Sequence, residues 1–257
     1  MPAASENVTI RHADSHIVVV DKPSGLTTMR HAREAAEFGR RAQRFLPATL
    51  ADLLPALMSR GKAKGGPVRA VHRLDKDTSG LVVFARSVNA ERHLGKQFRA
   101  HSIERRYVAI VRGQAKSGRI ESYLIDDRGD GRRGSTNEPT RGKRAVTHVK
   151  VLEDLCDYTL VECRLDTGRT HQVRIHLGEQ GTPICGERVY DRPLHGKPLP
   201  DTSGARRLAL HASLLGLDHP ATGKRMVWSS PLPKDMEMLL KKLRGRNGRD
   251  KSPRSAQ

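Results

Sequence analysis

His72-Arg73-Leu74-Asp75-Lys76-Asp77-Thr78-Ser79-Gly80 runs directly into Leu81-Val82-Val83-Phe84-Ala85. A polar, turn-prone segment opens onto a continuous apolar run, which places two carboxylates and an arginine on a loop anchored by a buried strand. The strand fixes the loop while the loop's side chains stay free to meet a ligand. A charged turn between two ordinary strands has the same appearance, so the stretch acquires meaning only from partners elsewhere in the chain.

The 257 residues can bury a substantial core, as one large domain or two small ones. Lys and Arg number 47 against 28 Asp and Glu, a formal net charge of +19 with neutral histidines. That excess favours a polyanionic partner, because each phosphate neutralised by Lys or Arg releases condensed counterions. An acidic membrane surface would attract the same charge, but the basic residues are spread along the chain and form no long amphipathic basic helix. Residues 1–16 lack the apolar core of a secretory signal, and no apolar run approaches the roughly 20 residues that span a bilayer. The expected location is therefore cytoplasmic. Cys156, Cys163 and Cys185 are odd in number and show no C-x-x-C spacing. They indicate neither a disulfide framework nor a zinc site and read as reduced, mostly buried small side chains.

Outward from the central loop, Val8–Ile10 and Ile17–Val20 read as a short strand pair, ended by the tight turn Asp21-Lys22-Pro23-Ser24-Gly25. Lys22 reads equally as a phosphate contact or a solvated turn residue. The 28–66 segment is Arg- and Ala-rich, with a candidate helix in Ala32–Leu46. Leu50, Leu53, Leu54, Leu57 and Met58 then mark one apolar helical face. With Asp52 as N-cap, Pro55 would fall in the first turn, where its missing N–H costs little, and Leu50 just outside. Gly61-Lys62-Ala63-Lys64-Gly65-Gly66 is basic and Gly-rich but lacks the order of a phosphate loop. Ser87 can cap a helix that turns Ala90, Leu94 and Phe98 inward and leaves Arg92, Lys96, Arg99 and His101 off that stripe.

Arg106–Val111 is a β-type run, and the 126–143 segment, rich in Gly, Arg, Asp and Pro, is expected as an exposed, mobile loop. Ala145–Val151 and Tyr158–Leu165 read as a hairpin around Glu153–Asp157. In Asp166-Thr167-Gly168-Arg169-Thr170-His171-Gln172-Val173-Arg174-Ile175-His176-Leu177, Thr170 is a plausible N-cap for a short helix. Arg174, flanked by apolar positions, either snorkels outward or pairs with a buried carboxylate. His171 and His176 are five apart, a poor spacing for joint metal ligation. Leu214–His219 and Lys224–Ser229 form a second hairpin, and Pro233 and Asp235 start a last helix with Met236, Leu239, Leu240 and Leu243 inward. From Arg244 the chain is basic and nearly devoid of apolar residues, so 8–243 is read as one folded domain and 244–257 as a basic disordered tail.

Three segments stand in a telling order: His72-Arg73-Leu74-Asp75 with Thr78-Ser79-Gly80; Arg106-Tyr107-Val108-Ala109-Ile110-Val111-Arg112-Gly113; and Thr167-Gly168-Arg169-Thr170-His171-Gln172-Val173-Arg174-Ile175-His176-Leu177. Together they resemble the RluA family of RNA pseudouridine synthases. The Asp21–Gly25 turn and Gly186-Glu187-Arg188-Val189-Tyr190 fit the same pattern, so the likeness covers roughly residues 8–240.

The resemblance implies an α+β fold, a mixed, mainly antiparallel sheet flanked by helices, and an isomerase that converts specific uridines of structured RNA, ribosomal or transfer, to pseudouridine. It implies Asp75 as the catalytic carboxylate, Tyr107 as the residue stacking on the target uracil and Arg174 as the basic partner of Asp75. Arg73, Thr78, Arg169 and His171 are the matching candidates for holding RNA. No cofactor, no metal and no small N-terminal RNA-binding domain ahead of the catalytic body are expected. Two other readings compete. Asp75-Lys76-Asp77-Thr78 has the D-x-D order of a magnesium-dependent phosphatase, but there a buried strand should precede the first Asp, and here the apolar run follows it. A non-catalytic RNA-binding or assembly factor would also carry the charge, yet the three candidate catalytic positions are all intact.

Overall fold

The computed structural model describes residues 8–30, 46–60 and 65–250, with side chains to residue 246. In chain order the elements are β1 (Thr9–Ala13), β2 (Ile17–Lys22), α1 (Leu50–Arg60), β3 (Arg69–Ala70), β4 (Ser79–Ala85), α2 (Val88–Arg99), β5 (Glu104–Arg112), β6 (Gly118–Ile125), β7 (Gly134–Thr136), β8 (Lys143–Asp154), β9 (Tyr158–Leu165), α3 (Gln172–Glu179), β10 (Leu210–Asp218), β11 (Arg225–Ser229) and α4 (Lys234–Asp250). The fold is α+β, as expected. The chain divides into two compact units, residues 1–103 with 214–230, and residues 104–213 with 231–257.

In the first unit β2 pairs antiparallel with β1 and β4, β3 with β4, and β10 with β11. The run Leu81–Ala85 is apolar at every position because both faces of β4 are buried, as are those of β2. One face, Ile17, Val19, Leu81, Val83 and Ala85, forms a core with Ala90 and Leu94 of α2 and with Ile103, Leu215 and Leu217. Ser87 caps α2, its Oγ accepting from Ala90 N at 3.1 Å, and Phe98 packs partly buried against the same core. Burying a side chain such as Leu94 contributes about 1.5–3 kcal/mol.

Helix α1 departs from expectation at its start. Thr49, not Asp52, is the cap: Thr49 N and Oγ1 both donate to Asp52 Oδ2 at 2.9 Å, a capping-box arrangement, and Leu50 lies inside the helix. The first two helical N–H groups find Thr27 O and Thr28 O at 2.8 and 3.1 Å. Pro55 consequently falls in the second turn. The helix expected over Ala32–Leu46, except for Leu46, and residues 61–64 of the glycine-rich segment lie outside the described residues.

The second unit carries the strand order β5-β9-β8-β6-β7, antiparallel at each pairing. The expected β8–β9 hairpin is present, turning at Cys156 with a φ of 66°. Cys163 and Cys185 are buried, and burial pushes both thiols up to about 12, whereas Cys156 is exposed. Strand β6 has no counterpart in the sequence reading because its outward residues are charged. Glu121 finds Arg144 of β8 at 2.6 Å, so cross-strand ion pairing replaces apolar alternation. The 126–143 segment is likewise not all loop: Gly134–Thr136 forms β7 against Tyr123–Ile125. Helix α4 buries Met236, Leu239, Leu240 and Leu243 as its periodicity predicts. It also continues past Arg244, the expected start of the tail, to Asp250, and Arg244 forks onto Glu153 at 2.8 and 2.6 Å.

Candidate active site

In the first unit the loop between β3 and β4 is pinned at Leu74 and Thr78. Leu74 and Thr78 are buried, Asp75 is half-buried, and Arg73, Lys76 and Asp77 are exposed. A turn closes across Asp75, with Thr78 N donating to Asp75 O at 3.1 Å. Thr28 Oγ1 donates to Leu74 O at 2.8 Å and accepts from Leu74 N at 3.1 Å, so one hydroxyl satisfies both backbone groups of the residue before Asp75. His72 Nε2 accepts from Val83 N at 3.0 Å, and its ring stacks at 4.8 Å from Phe98.

The turn Asp21–Gly25 supplies the remaining supports. Lys22 is neither solvated nor on the surface: it is fully buried and donates to Pro23 O, Leu26 O and Lys76 O at 3.0, 2.8 and 3.0 Å. Gly25 N reaches Lys76 O at 2.8 Å and Ser24 Oγ reaches Asp77 O at 2.8 Å. Arg73 and Asp75 are therefore displayed on a loop whose backbone is fixed from below. Thr78, expected to meet RNA, is instead 2% exposed, and its Oγ1 has no hydrogen-bond partner among the described residues.

In the second unit β5 turns Arg105 and Tyr107 to one face, both buried. Burial pulls the Arg105 guanidinium below its ordinary value, opposed by the charges of Tyr107 and Asp166. Gly168 lies against that guanidinium, where a Cβ would come 2.4 Å from Nη1. Arg105 is a buried cation that sequence reasoning missed.

Gln172 fastens the loop that precedes it to β8. Its Oε1 accepts from Thr167 Oγ1 and Arg169 N at 2.7 and 3.0 Å, and its Nε2 donates to Val146 O and Thr147 Oγ1 at 2.9 and 3.0 Å. The N-cap of α3 is His171, not Thr170, and it sits in the left-handed region at φ 58° without a side-chain cap bond. In that conformation the His171 ring meets Tyr190, whose hydroxyl lies 2.8 Å from Nδ1. Arg169, half-exposed, donates from Nε to Arg144 O at 3.0 Å.

Arg174 resolves its two readings in favour of a buried carboxylate, that of Glu187. Nε donates to Oε2 at 2.7 Å and Nη2 to Oε1 at 2.9 Å, with the guanidinium 5.2 Å from the Tyr190 ring centroid. Burial would raise the Glu187 carboxyl, but the Arg174 hydrogen bonds and charge, with the N–H groups of Val189 and Tyr190, hold it below the ordinary range. Glu187 lies within the Gly186–Tyr190 motif, so a signal existed, though nothing in the motif named its partner.

His176, two residues on from Arg174, is 1% exposed and burial lowers it to about 4, so it is neutral near pH 7. Its Nδ1 meets Thr147 Oγ1 at 2.9 Å and its Nε2 meets Ser122 Oγ at 3.0 Å. Among the described residues no three His, Cys, Asp or Glu side chains are grouped to hold a metal ion, and no helix is long and apolar enough to cross a membrane.

These residues fall in a chain whose likeness to known proteins is extensive. The model of the family described as RNA pseudouridylate synthase matches residues 16–179. The chain is 38% identical over 238 residues to the ribosomal large subunit pseudouridine synthase D of Zymomonas mobilis, covering 90% of this chain and 71% of that protein. Against the protein of the same name from Pseudomonas aeruginosa it is 39% identical over 247 residues, covering 91% and 71%. The solved structure of human RNA pseudouridylate synthase domain containing 4 superposes with a TM-score of 0.70 at 25% identity, covering 92% of this chain and 93% of that one.

Proposed function

The chain belongs to the RluA family of RNA pseudouridylate synthases, and from that premise we propose that its substrate is large-subunit ribosomal RNA and that Asp75 is the carboxylate that acts on the target uridine. As a pseudouridine synthase it is an isomerase of RNA. The N1–C1′ bond of a uridine breaks, C5 of the same uracil bonds to C1′, and the proton lost from C5 is balanced by one gained at N1. No electrons are exchanged with another molecule.

An ionised carboxylate serves this chemistry as nucleophile or base. Asp75 stands on a loop held by Thr28, Ser24, Gly25 and Lys22, which supports its assignment, since a reacting group must be kept in place. To reach the bond the nucleotide leaves its stack at a cost of a few kcal/mol. We assign Tyr107 to stack on the extruded uracil, which offsets about 1–3 kcal/mol of that cost, and Arg174 as the cation of the site. Arg73, Arg169 and His171 are assigned to the RNA around it.

The single observation that carries the substrate is the name borne by the relatives at 38% and 39% identity, ribosomal large subunit pseudouridine synthase D. A ribosomal RNA substrate also favours the cytoplasm as the place of action. Pseudouridine mapping of ribosomal and transfer RNA from cells with and without this protein tests the assignment. Sites lost from large-subunit ribosomal RNA support it. Sites lost only from transfer RNA would overturn the substrate and leave the reaction standing.

A further inference from the structure

The carboxylate that grips Arg174 is itself fixed by the backbone. Glu187 Oε1 accepts from the N–H groups of Arg188, Val189 and Tyr190 at 3.0, 2.8 and 3.3 Å, in addition to Arg174 Nη2. Three donors hold the carboxylate whether or not Arg174 is present, so of the two partners it is the arginine that is being oriented. The pair is also shielded, with side-chain exposures of 13% for Arg174 and 1% for Glu187. A solvated pair such as Arg141–Glu138, at 63% and 58%, has no such hold on geometry.

Both flanks of the segment are close-packed on backbone. Gly186 has a φ of 82°, and a Cβ there would come 2.2 Å from Arg207 O. At Gly178 of α3 a Cβ would come 2.3 Å from Tyr190 O. The clamp therefore has little freedom to drift along the helix that carries Arg174. Using Nε and one N–H of Nη2 for Glu187 directs the opposite edge of the planar fork away from it, a constraint that a lysine could not transmit.

We propose that Glu187 is a positioning residue for the isomerisation, acting through Arg174 by setting the plane and direction of its guanidinium. This rests on the reading of Arg174 as the cation of the site.

The test is a double-mutant cycle on the full chain, read as single-turnover isomerisation of an RNA substrate together with RNA Kd and a melting curve. Glu187→Gln should slow isomerisation by at least about thirtyfold with Kd changed less than about threefold, and Glu187→Asp should recover part of the loss. Glu187→Gln combined with Arg174→Met should be no slower than Arg174→Met alone, because a residue that acts only through another has nothing left to orient. A purely structural role would instead multiply the two losses, and that result overturns the proposal. Parental rates in Glu187→Gln beside a crippled Arg174→Met would overturn it too, while leaving the reading of Arg174 intact. Parental rates in Arg174→Met would remove that reading and the proposal with it. Should Glu187→Gln fail to fold, Glu187→Asp and Arg174→Lys complete the same cycle under the same criterion.

Discussion

Lys22 Nζ donates to the carbonyl of Lys76, 54 residues further on, at 3.0 Å. The same ammonium also holds Pro23 O and Leu26 O, so a fully buried cation ties the turn after β2 to the residue that follows Asp75. Lys22→Met keeps the aliphatic stem and deletes the donor. Three carbonyls, that of Leu26 buried and those of Pro23 and Lys76 partly so, then lose a charge-assisted bond, which is expected to cost about 3 kcal/mol of stability. Isomerisation should fall further than stability explains, because the loop under Asp75 loosens. Denaturant unfolding and single-turnover rates on the same preparation check this, and an unchanged midpoint would mean the ammonium is not the tie.

Asp75→Asn should abolish isomerisation while leaving RNA Kd within about threefold. The amide keeps the shape of the carboxylate but is neither an anionic nucleophile nor an effective base. Thr78 N donates to the main-chain O of Asp75, so the turn itself survives the change. Activity within about tenfold of the parent would remove Asp75 from the mechanism.

What the sequence made legible follows the range of its signals. The β4 run, the β8–β9 and β10–β11 hairpins and the Ser87 cap are written within a few residues, and all appear. Asp75, Tyr107 and Arg174 came from a resemblance of whole motifs, not from any local property. The missed features are those whose cause lies at long range. Nothing near Lys22 says that its charge will be buried on carbonyls, and nothing near Arg105 says that it will be covered while Gly168 makes room. Glu187 is only 13 residues from Arg174, but the chain between them leaves the helix, so no helical spacing links them. Strand β6 was hidden because ion pairs, not apolar residues, hold its outer face.

His176 gives the protein an acid-sensitive fold. Its folded-state value, lowered by burial to about 4 from 6.5, means that the unfolded chain binds the proton more readily. Stability from this group is therefore complete above about pH 6.5 and is lost as pH falls toward 4, by about 3 kcal/mol in all. Glu187, lowered despite burial, adds a loss of the same sign below its unfolded value of 4.5. His176→Gln retains polar atoms for Ser122 and Thr147 but cannot titrate. It should be less stable at pH 7.5 and nearly flat between pH 7 and 5, where the parent declines. Parallel pH profiles for parent and variant would show that His176 titrates normally.

Gly178 sets helix propensity against close approach. On propensity alone, Ala in the last turn of α3 would stabilise the helix by at most about 1 kcal/mol. Its Cβ, however, would stand 2.3 Å from Tyr190 O and 3.1 Å from Tyr190 C, and a backbone atom cannot turn aside as the tip of a side chain can. Overpacking should win, with a net loss of roughly 1–3 kcal/mol. Because the displaced residue is Tyr190, whose N–H helps hold Glu187 and whose hydroxyl meets His171, isomerisation should fall together with stability. Gly118→Ala is the matched control: nothing lies within 4 Å of its Cβ, so the same substitution should stabilise slightly, through the unfolded chain, and leave activity alone. A Gly178→Ala protein as stable and as active as Gly118→Ala would mean that α3 and the 186–190 segment do not pack as closely as the structure has them.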